Sequence, residues 1–277
     1  MSGDLMPVVV AVAPNGARKH RDDHPQLPLT PDELAQCAAE CVAAGASMMH
    51  VHVRDAAGRH SLAVDDYRAA TAAIHARVAD ALVLQLTSEA GGRYTPAEQV
   101  ACLEALAPEA VSLAIRELFA TPDDATRTAK LVARYTAHGT MIQYIVYSPH
   151  DIARCVELHA AGVLPQPAPN LLFVLGSYAG QRAGRPADLL PMLAALPAGW
   201  PWSVCAFGAD EWRCMTAAAL LGGHARVGFE NNLALPTGTA APDNAALVRI
   251  TAEALAPLRM RPATCAEARR FFREGSV

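Results

Sequence analysis

Eight times along this chain a short β-branched or apolar run is followed by an Ala- and Leu-rich stretch with helical spacing. Strands are expected near residues 7–13, 48–53, 82–87, 110–115, 141–147, 170–175, 202–207 and 224–229. The paired helices are expected near 31–44, 64–79, 96–106, 123–138, 149–161, 187–195, 210–221 and 243–256. Three helix starts carry explicit signals, at Thr30-Pro31-Asp32-Glu33, Thr95-Pro96-Ala97-Glu98 and Thr121-Pro122-Asp123-Asp124. In each, threonine can accept from first-turn amides, and proline takes the first helical position, where no N–H is needed. Eight successive βα units in 277 residues predict an α/β fold, a (β/α)8 TIM barrel forming one domain over 1–277. A last helix near 263–273 reads as an appendage to it.

Composition narrows the function classes. With 52% hydrophobic residues the chain can bury a large core, which excludes a disordered protein. The 23 basic and 27 acidic side chains form no basic run, so neither nucleic acid nor an anionic membrane is an expected partner. No Lys or Arg precedes Arg18, against a secretory signal. The long uncharged stretch from Leu158 to Gln181 contains Pro165, Pro167, Pro169 and Asn170, against a membrane helix. Seven cysteines without a CxxC pair read as reduced thiols in a cytoplasmic protein, with Cys205 and Cys214 as packing residues. Only two lysines are present, Lys130 in a helical stretch and Lys19 in a long polar loop. Neither ends a strand, so Schiff-base and pyridoxal-phosphate chemistry are not expected.

That long loop, Pro14 to Thr30, leaves the carboxyl end of the first strand, where barrels of this kind place their active sites. Its length favours a lid or substrate loop over plain disorder. His20 and His24 within it read as solvated.

The sharpest chemical signal is Met48-Met49-His50-Val51-His52-Val53-Arg54. On a strand alternate residues share a face, so His50 and His52 point together into the barrel while Met49, Val51 and Val53 face the helices. By itself this is also compatible with two separately hydrogen-bonded histidines. In His224-Ala225-Arg226-Val227-Gly228-Phe229-Glu230, the alternation puts Arg226, Gly228 and Glu230 on the inner face. Strands 2 and 8 both neighbour strand 1, so their ends lie roughly 10 Å apart and inward side chains can meet. Two imidazoles and a carboxylate leave coordination positions open, which fits catalytic Zn2+ and also Fe2+ or Mn2+.

These segments resemble the β-keto acid cleavage enzymes, a family whose best-known member acts on 3-keto-5-aminohexanoate. The resemblance spans nearly the whole chain: Asn15-Gly16-Ala17, His24-Pro25, Ala44-Gly45-Ala46-Ser47, His50-Val51-His52-Val53-Arg54, Phe173-Val174-Leu175-Gly176, and Gly222-Gly223-His224 through Asn231-Asn232. It implies a Zn2+-dependent barrel that converts a β-keto acid and acetyl-CoA into acetoacetate and a new acyl-CoA. It further implies enolate attack on the thioester followed by a retro-Claisen step, and a homo-oligomer, with a tetramer favoured. His50, His52 and Glu230 then correspond to the metal ligands, and Arg226 to a charge-stabilising or base-orienting guanidinium. Thr87 and Ser88 correspond to a hydroxyl pair for the substrate carboxylate, and Asn15 to a substrate contact.

The departures from the family pattern are as informative. Asn231 stands where a catalytic aspartate is expected and cannot act as a base, although it can still touch substrate. Arg18 replaces a glutamate that holds a substrate ammonium, and Ile145 falls near a second such glutamate. The segment Ser112-Leu113-Ala114-Ile115-Arg116-Glu117 lacks the usual polar residues. The base is therefore expected at Glu89 or Glu117, both just past strand ends, or in a metal-bound water. Glu89 could instead pair with Arg93 or Arg116, and Glu117 with Arg116. The loop Gly176-Ser177-Tyr178-Ala179-Gly180-Gln181-Arg182, with Arg182 and Arg185, is the candidate contact for CoA phosphates. Arg18 is expected to disfavour a cationic substrate tail and to suit an anionic or neutral one. Two other readings stand beside this one: a metal-dependent aldolase or hydrolase without CoA, and a non-catalytic metal- or ligand-binding barrel.

Overall fold

The computed structural model describes residues 5–164, 166–177 and 182–274. Eight strands form the inner ring: β1 Val10–Val12, β2 Met48–Val51, β3 Val83–Leu86, β4 Ala110–Ala114, β5 Met141–Val146, β6 Asn170–Ser177, β7 Trp202–Ala206 and β8 His224–Val227. Each pairs in parallel with its neighbours, β8 with β1 and β5 with β6 included, so the sheet closes into a TIM-type barrel without free edges. The surrounding helices are α1 Pro31–Ala44, α2 Val64–Val78, α3 Pro96–Leu106, α4 Pro122–Ala137, α5 Pro149–Ala160, α6 Leu189–Ala195, α7 Glu211–Leu220, α8 Asn244–Leu255 and α9 Cys265–Glu274. No helix among the described residues is long and apolar enough to cross a membrane.

The threonine caps form as their chemistry requires. Thr30 and Thr95 make reciprocal capping boxes with Glu33 and Glu98, and Thr121 accepts from the Asp124 amide. Outward residues of the strands, such as Val10, Val12, Met49, Val51, Leu84 and Leu86, pack against the helices in one continuous apolar layer.

Three boundaries differ from the periodicity reading. The first strand breaks in two, because Met6–Val8 lies outside the ring and pairs with Met260–Pro262. The fourth runs directly into a helical turn at Ile115–Leu118. The eighth ends at Val227, where Gly228 adopts a φ of 133°. The long loop is held in turns, with Asn15, Ala17, His24 and Leu27 buried. His24 is thus not solvated: its Nε2 meets the Ala241 carbonyl at 2.8 Å and its ring lies against Phe229. His20 is exposed.

The last helix is no appendage. Ala268 and Phe271 of α9, with Ala263, pack onto Val9, Ala11, Met48, Val83, Ala110 and Met141, filling the amino-terminal mouth of the barrel. This plug closes the axial opening at that end, leaving the opposite mouth open. Glu267 at the start of α9 fixes it, accepting from Arg261 at 2.7 and 2.8 Å and from the Thr264 amide at 2.8 Å. The Arg261 guanidinium holds the Glu267 carboxyl down at about 2, against the opposing effect of burial. A carboxyl depressed on folding adds stability that is complete above its unfolded value near 4.5 and disappears as pH falls toward 2. Glu267→Gln should therefore cost about 1–2 kcal/mol in urea unfolding at neutral pH, with the gap to wild type narrowing below pH 4.5.

Candidate metal centre and active site

Strand alternation delivers the two histidines as expected. Met49, Val51 and Val53 join the apolar layer, while His50 and His52, 2% and 0% exposed, turn into the barrel. Glu230 arrives by a different route. Because β8 stops at Val227, a turn over Gly228–Asn231 rather than a strand swings the carboxylate inward. The Glu230 amide donates to the Ala13 carbonyl at 3.0 Å, tying this turn to the end of β1. At Gly228 a side chain would meet the Ala13 backbone, so only glycine allows the approach. Buried Glu211 of α7 braces the turn from behind, accepting from the Gly228 amide at 3.3 Å and from Asn232 at 3.2 Å. Burial pushes its carboxyl up to about 8.

The three donors converge. His50 Nε2 and His52 Nε2 lie 3.1 Å apart, and Glu230 Oε2 is 3.7 and 3.2 Å from them. A tetrahedral ion with bonds of about 2.0–2.1 Å has donor–donor edges of about 3.3–3.4 Å. The residues therefore fit a small divalent cation. Two further features agree with that fit. His50 Nδ1 faces the Gln85 amide oxygen at 2.9 Å, leaving the Nε2 lone pair toward the other donors. Burial pushes the His50 imidazole down to about 3, so the ring is neutral. For Glu230 burial alone would raise the carboxyl, but the Arg226 guanidinium and the two histidines hold it well below the usual range. Arg226 lies 2.9 Å from Glu230 Oε1, 3.2 Å from Cys205 Sγ and 3.4 Å from Asn231 Oδ1.

Around this centre opens a cavity of about 270 Å³ at the carboxyl-terminal mouth. His50, Glu230, Arg226, Asn231, Thr87, Ser88, Glu89, Glu117 and Arg18 all line it. Glu89 Oε2 is 3.9 Å from His52 Nε2, and its Oε1 is 3.9 Å from Arg18 Nε, so neither Arg93 nor Arg116 is its partner. Arg116 pairs with Asp151 at 2.8 Å instead. Burial pushes the Glu89 carboxyl up, opposed by His52 and Arg18 and reinforced by Glu230 and Glu117. Glu117 Oε2 accepts from the Ala90 amide at 3.0 Å and from Gln99 at 2.7 Å. Thr87 accepts from the Glu89 amide at 3.0 Å, and Ser88 donates to the Ser112 carbonyl at 3.2 Å.

Other expected site residues lie elsewhere. Asn15 sits behind the centre, donating to the Pro28 and His52 carbonyls at 2.9 and 3.2 Å. Arg182 and Arg185 are exposed and outside the cavity lining, Arg182 pairing with Asp188 at 3.3 Å. Tyr178–Gln181 of the proposed CoA loop lie outside the described residues. Conversely, Lys19 is half-buried, and its Nζ donates to the Glu230 carbonyl at 2.6 Å. Its loop position gave no hint of this, because only the fold of residues 14–30 brings it there. Tyr147, Val174 and Phe207 also line the cavity and look like ordinary strand residues in the sequence.

The dependence of Glu230 on its turn can be measured. Gly228→Ala should destabilise the protein by about 2 kcal/mol or more, from backbone strain and collision with Ala13. Urea unfolding within 0.5 kcal/mol of wild type would contradict it.

Comparison with known proteins adds independent findings. A family model described as beta-keto acid cleavage enzyme matches residues 7–273. The chain is 27% identical over 273 residues to a protein of Fusobacterium nucleatum named 3-keto-5-aminohexanoate cleavage enzyme, covering 96% of this chain and 97% of that one. It is 28% identical over 272 residues to a Cupriavidus necator protein named 3-oxoadipate:acetyl-CoA acetyltransferase, covering 95% and 93%. Among solved structures, a binary complex of ObcA with oxaloacetate superposes with a TM-score of 0.70 at 19% identity, over 90% of this chain. This chain spans 67% of that longer one, and the likeness bears on the fold. With its family model matched from residue 7 to residue 273, the chain belongs to the beta-keto acid cleavage enzyme family.

Proposed function

We propose that this chain is a divalent-metal-dependent enzyme converting a β-keto acid and acetyl-CoA into acetoacetate and a new acyl-CoA. The observation that carries this reading is the convergence of the His50–His52–Glu230 donor set and the Glu89 carboxylate on one cavity. The names of the relatives support the reaction class, one being a keto acid cleavage enzyme and another an acetyl-CoA acetyltransferase. Zn2+ is the proposed ion, held by those three residues. When bound it would supply a Lewis acid to the substrate oxygens, lowering the cost of negative charge on the carbon between them.

The remaining roles belong to the chain's own side chains. Glu89 takes the proton from C2 of the keto acid, since it faces the cavity and burial raises its carboxyl toward the working pH. Asn231 Nδ2 and Arg226 Nε and Nη1 are buried donors without a hydrogen-bond partner among the described residues. Buried donors in that state are costly, and substrate oxygens would satisfy them. Arg226 and Asn231 thus bind the anionic head of the substrate, and Thr87 adds a hydroxyl. Glu117, gripped by Ala90 and Gln99, holds the segment that carries Glu89. Arg182 pairs with Ser177 at the cavity edge, and with Arg185 it is the proposed contact for CoA phosphates.

Three variants test the reading. Metal content should fall in His50→Ala and Glu230→Gln, while Glu89→Gln should keep the ion and lose acetoacetate formation by about 10²–10⁴-fold. Full metal content in both ligand variants would sink the metal assignment. Keto acid turnover without a thioester would favour an aldolase or hydrolase.

The cavity is also two-sided. Most ionic groups stand at the ends of β2, β3 and β8, whereas Ala114, Ile145, Val174 and Phe207 form an apolar wall at the ends of β4 to β7, with Arg116 and Glu117 beside it. Arg18 stands at the rim, 57% exposed. A substrate tail pointing to that wall meets apolar surface and no carboxylate from Ile145. Wild-type kcat/KM should rank β-ketohexanoate above β-ketoadipate, and both above 3-keto-5-aminohexanoate. Ile145→Glu should narrow the last gap by about tenfold, a charged partner offsetting the cost of burying an ammonium. A wild-type preference for the amino substrate would refute the assignment.

A further inference from the structure

A chain of buried amides crosses the barrel beneath the metal centre. Gln143 Nε2 of β5 donates to Asn170 Oδ1 at 2.9 Å and to Ser203 Oγ at 3.3 Å. Gln143 Oε1 accepts from Gln85 Nε2 at 3.2 Å, and Gln85 Oε1 faces His50 Nδ1 at 2.9 Å. All five side chains are at most 5% exposed. An amide presents an acceptor on one end and a donor on the other. The order is therefore head to tail: a Gln85 turned about would place its NH2 against Nδ1 and its oxygen against the Gln143 oxygen.

We propose that Gln143 and Gln85 form a positioning relay that holds His50 as the Nδ1-protonated tautomer, keeping the Nε2 lone pair aimed at His52 and Glu230. Gln143 acts from three strands away, solely by fixing which end of the Gln85 amide meets the imidazole. The link to metal affinity rests on the proposed metal centre, whereas the tautomer does not. Partners of this kind behind a ligand histidine change metal affinity by about 10–100-fold when removed.

Nitrogen NMR of metal-free protein labelled at histidine reads the tautomer directly, with His50→Ala assigning the signal. The wild type should show His50 protonated at Nδ1, and an Nε2-protonated ring would overturn the relay without any variant. Gln85→Met and Gln143→Met should each yield mixed tautomers and Zn2+ affinity, measured by chelator competition, lower by about tenfold or more. Gln85→Glu keeps an acceptor on Nδ1 and should retain the tautomer, with the Gln143 amide turned about to donate to the second carboxylate oxygen. Unchanged tautomer and affinity in folded Gln143→Met would refute the role of Gln143. Absence of Zn2+ binding in wild type would sink the metal centre, leaving the tautomer to decide the relay.

Discussion

Glu230 is a carboxylate kept 7% exposed inside a barrel, and the surrounding construction serves to keep it ionised there. An isolated buried charge would take up a proton rather than remain unsolvated. Arg226 prevents this at 2.9 Å, and the two imidazoles face the carboxylate from β2. Such a pair is weak evidence for stability, since desolvation of both ions opposes their attraction. Its value lies in geometry. A fixed guanidinium holds one oxygen of Glu230 and leaves the other toward His50 and His52.

The interior is layered accordingly. At the amino-terminal end α9 seals the barrel with Phe271 and the apolar residues of the strands. Above it the side-chain amides of Gln85, Gln143 and Asn170 are hydrogen-bonded to one another across the axis. The ionic groups occupy the layer above, where the strands end and the loops begin. Each layer meets the next: the plug fills the amino-terminal mouth with apolar side chains, and the Gln85 amide meets the back of His50 without adding charge near Arg226. Lys19 and Asn15 then bring the long loop onto the Glu230 and His52 carbonyls, closing the centre from the side.

Most of the frame was legible from periodicity, because alternation in the strands and threonine caps at the helices are local chemistry. The histidines were legible for the same reason. Glu230 was correctly placed by an argument that only half applies, since Gly228 ends the strand and a turn completes the inward swing. What could not be read were groups whose meaning depends on packing. Gln85 and Gln143 are unremarkable strand residues until the barrel closes, Lys19 is one cation in a polar loop, and His24 looks solvated although its ring lies against Phe229. Glu211 likewise reads as a helix-start acid, while the fold buries it behind the turn that carries Glu230.

The amide at position 231 follows from the same electrostatics. Arg226 already has Glu230 as counter-ion, and Asn231 Oδ1 shares the same guanidinium at 3.4 Å. A carboxylate there would put a second negative charge beside Glu230 in a site that already strains to hold one. One of the two would then be driven toward its protonated form. Asparagine avoids that competition and carries a buried donor, Nδ2, without a hydrogen-bond partner among the described residues. The proposed base is Glu89, 3.9 Å from His52 Nε2 and 3.9 Å from Arg18 Nε, and both partners oppose the repulsion it receives from Glu230. Separating the two carboxylates lets each take a different state from its surroundings, Glu230 held ionised by Arg226 and Glu89 pushed toward proton uptake by burial. A carboxylate held ionised, as proposed metal ligand, and a second one raised by burial, as proposed base, are the two behaviours the proposed reaction asks of one small cavity.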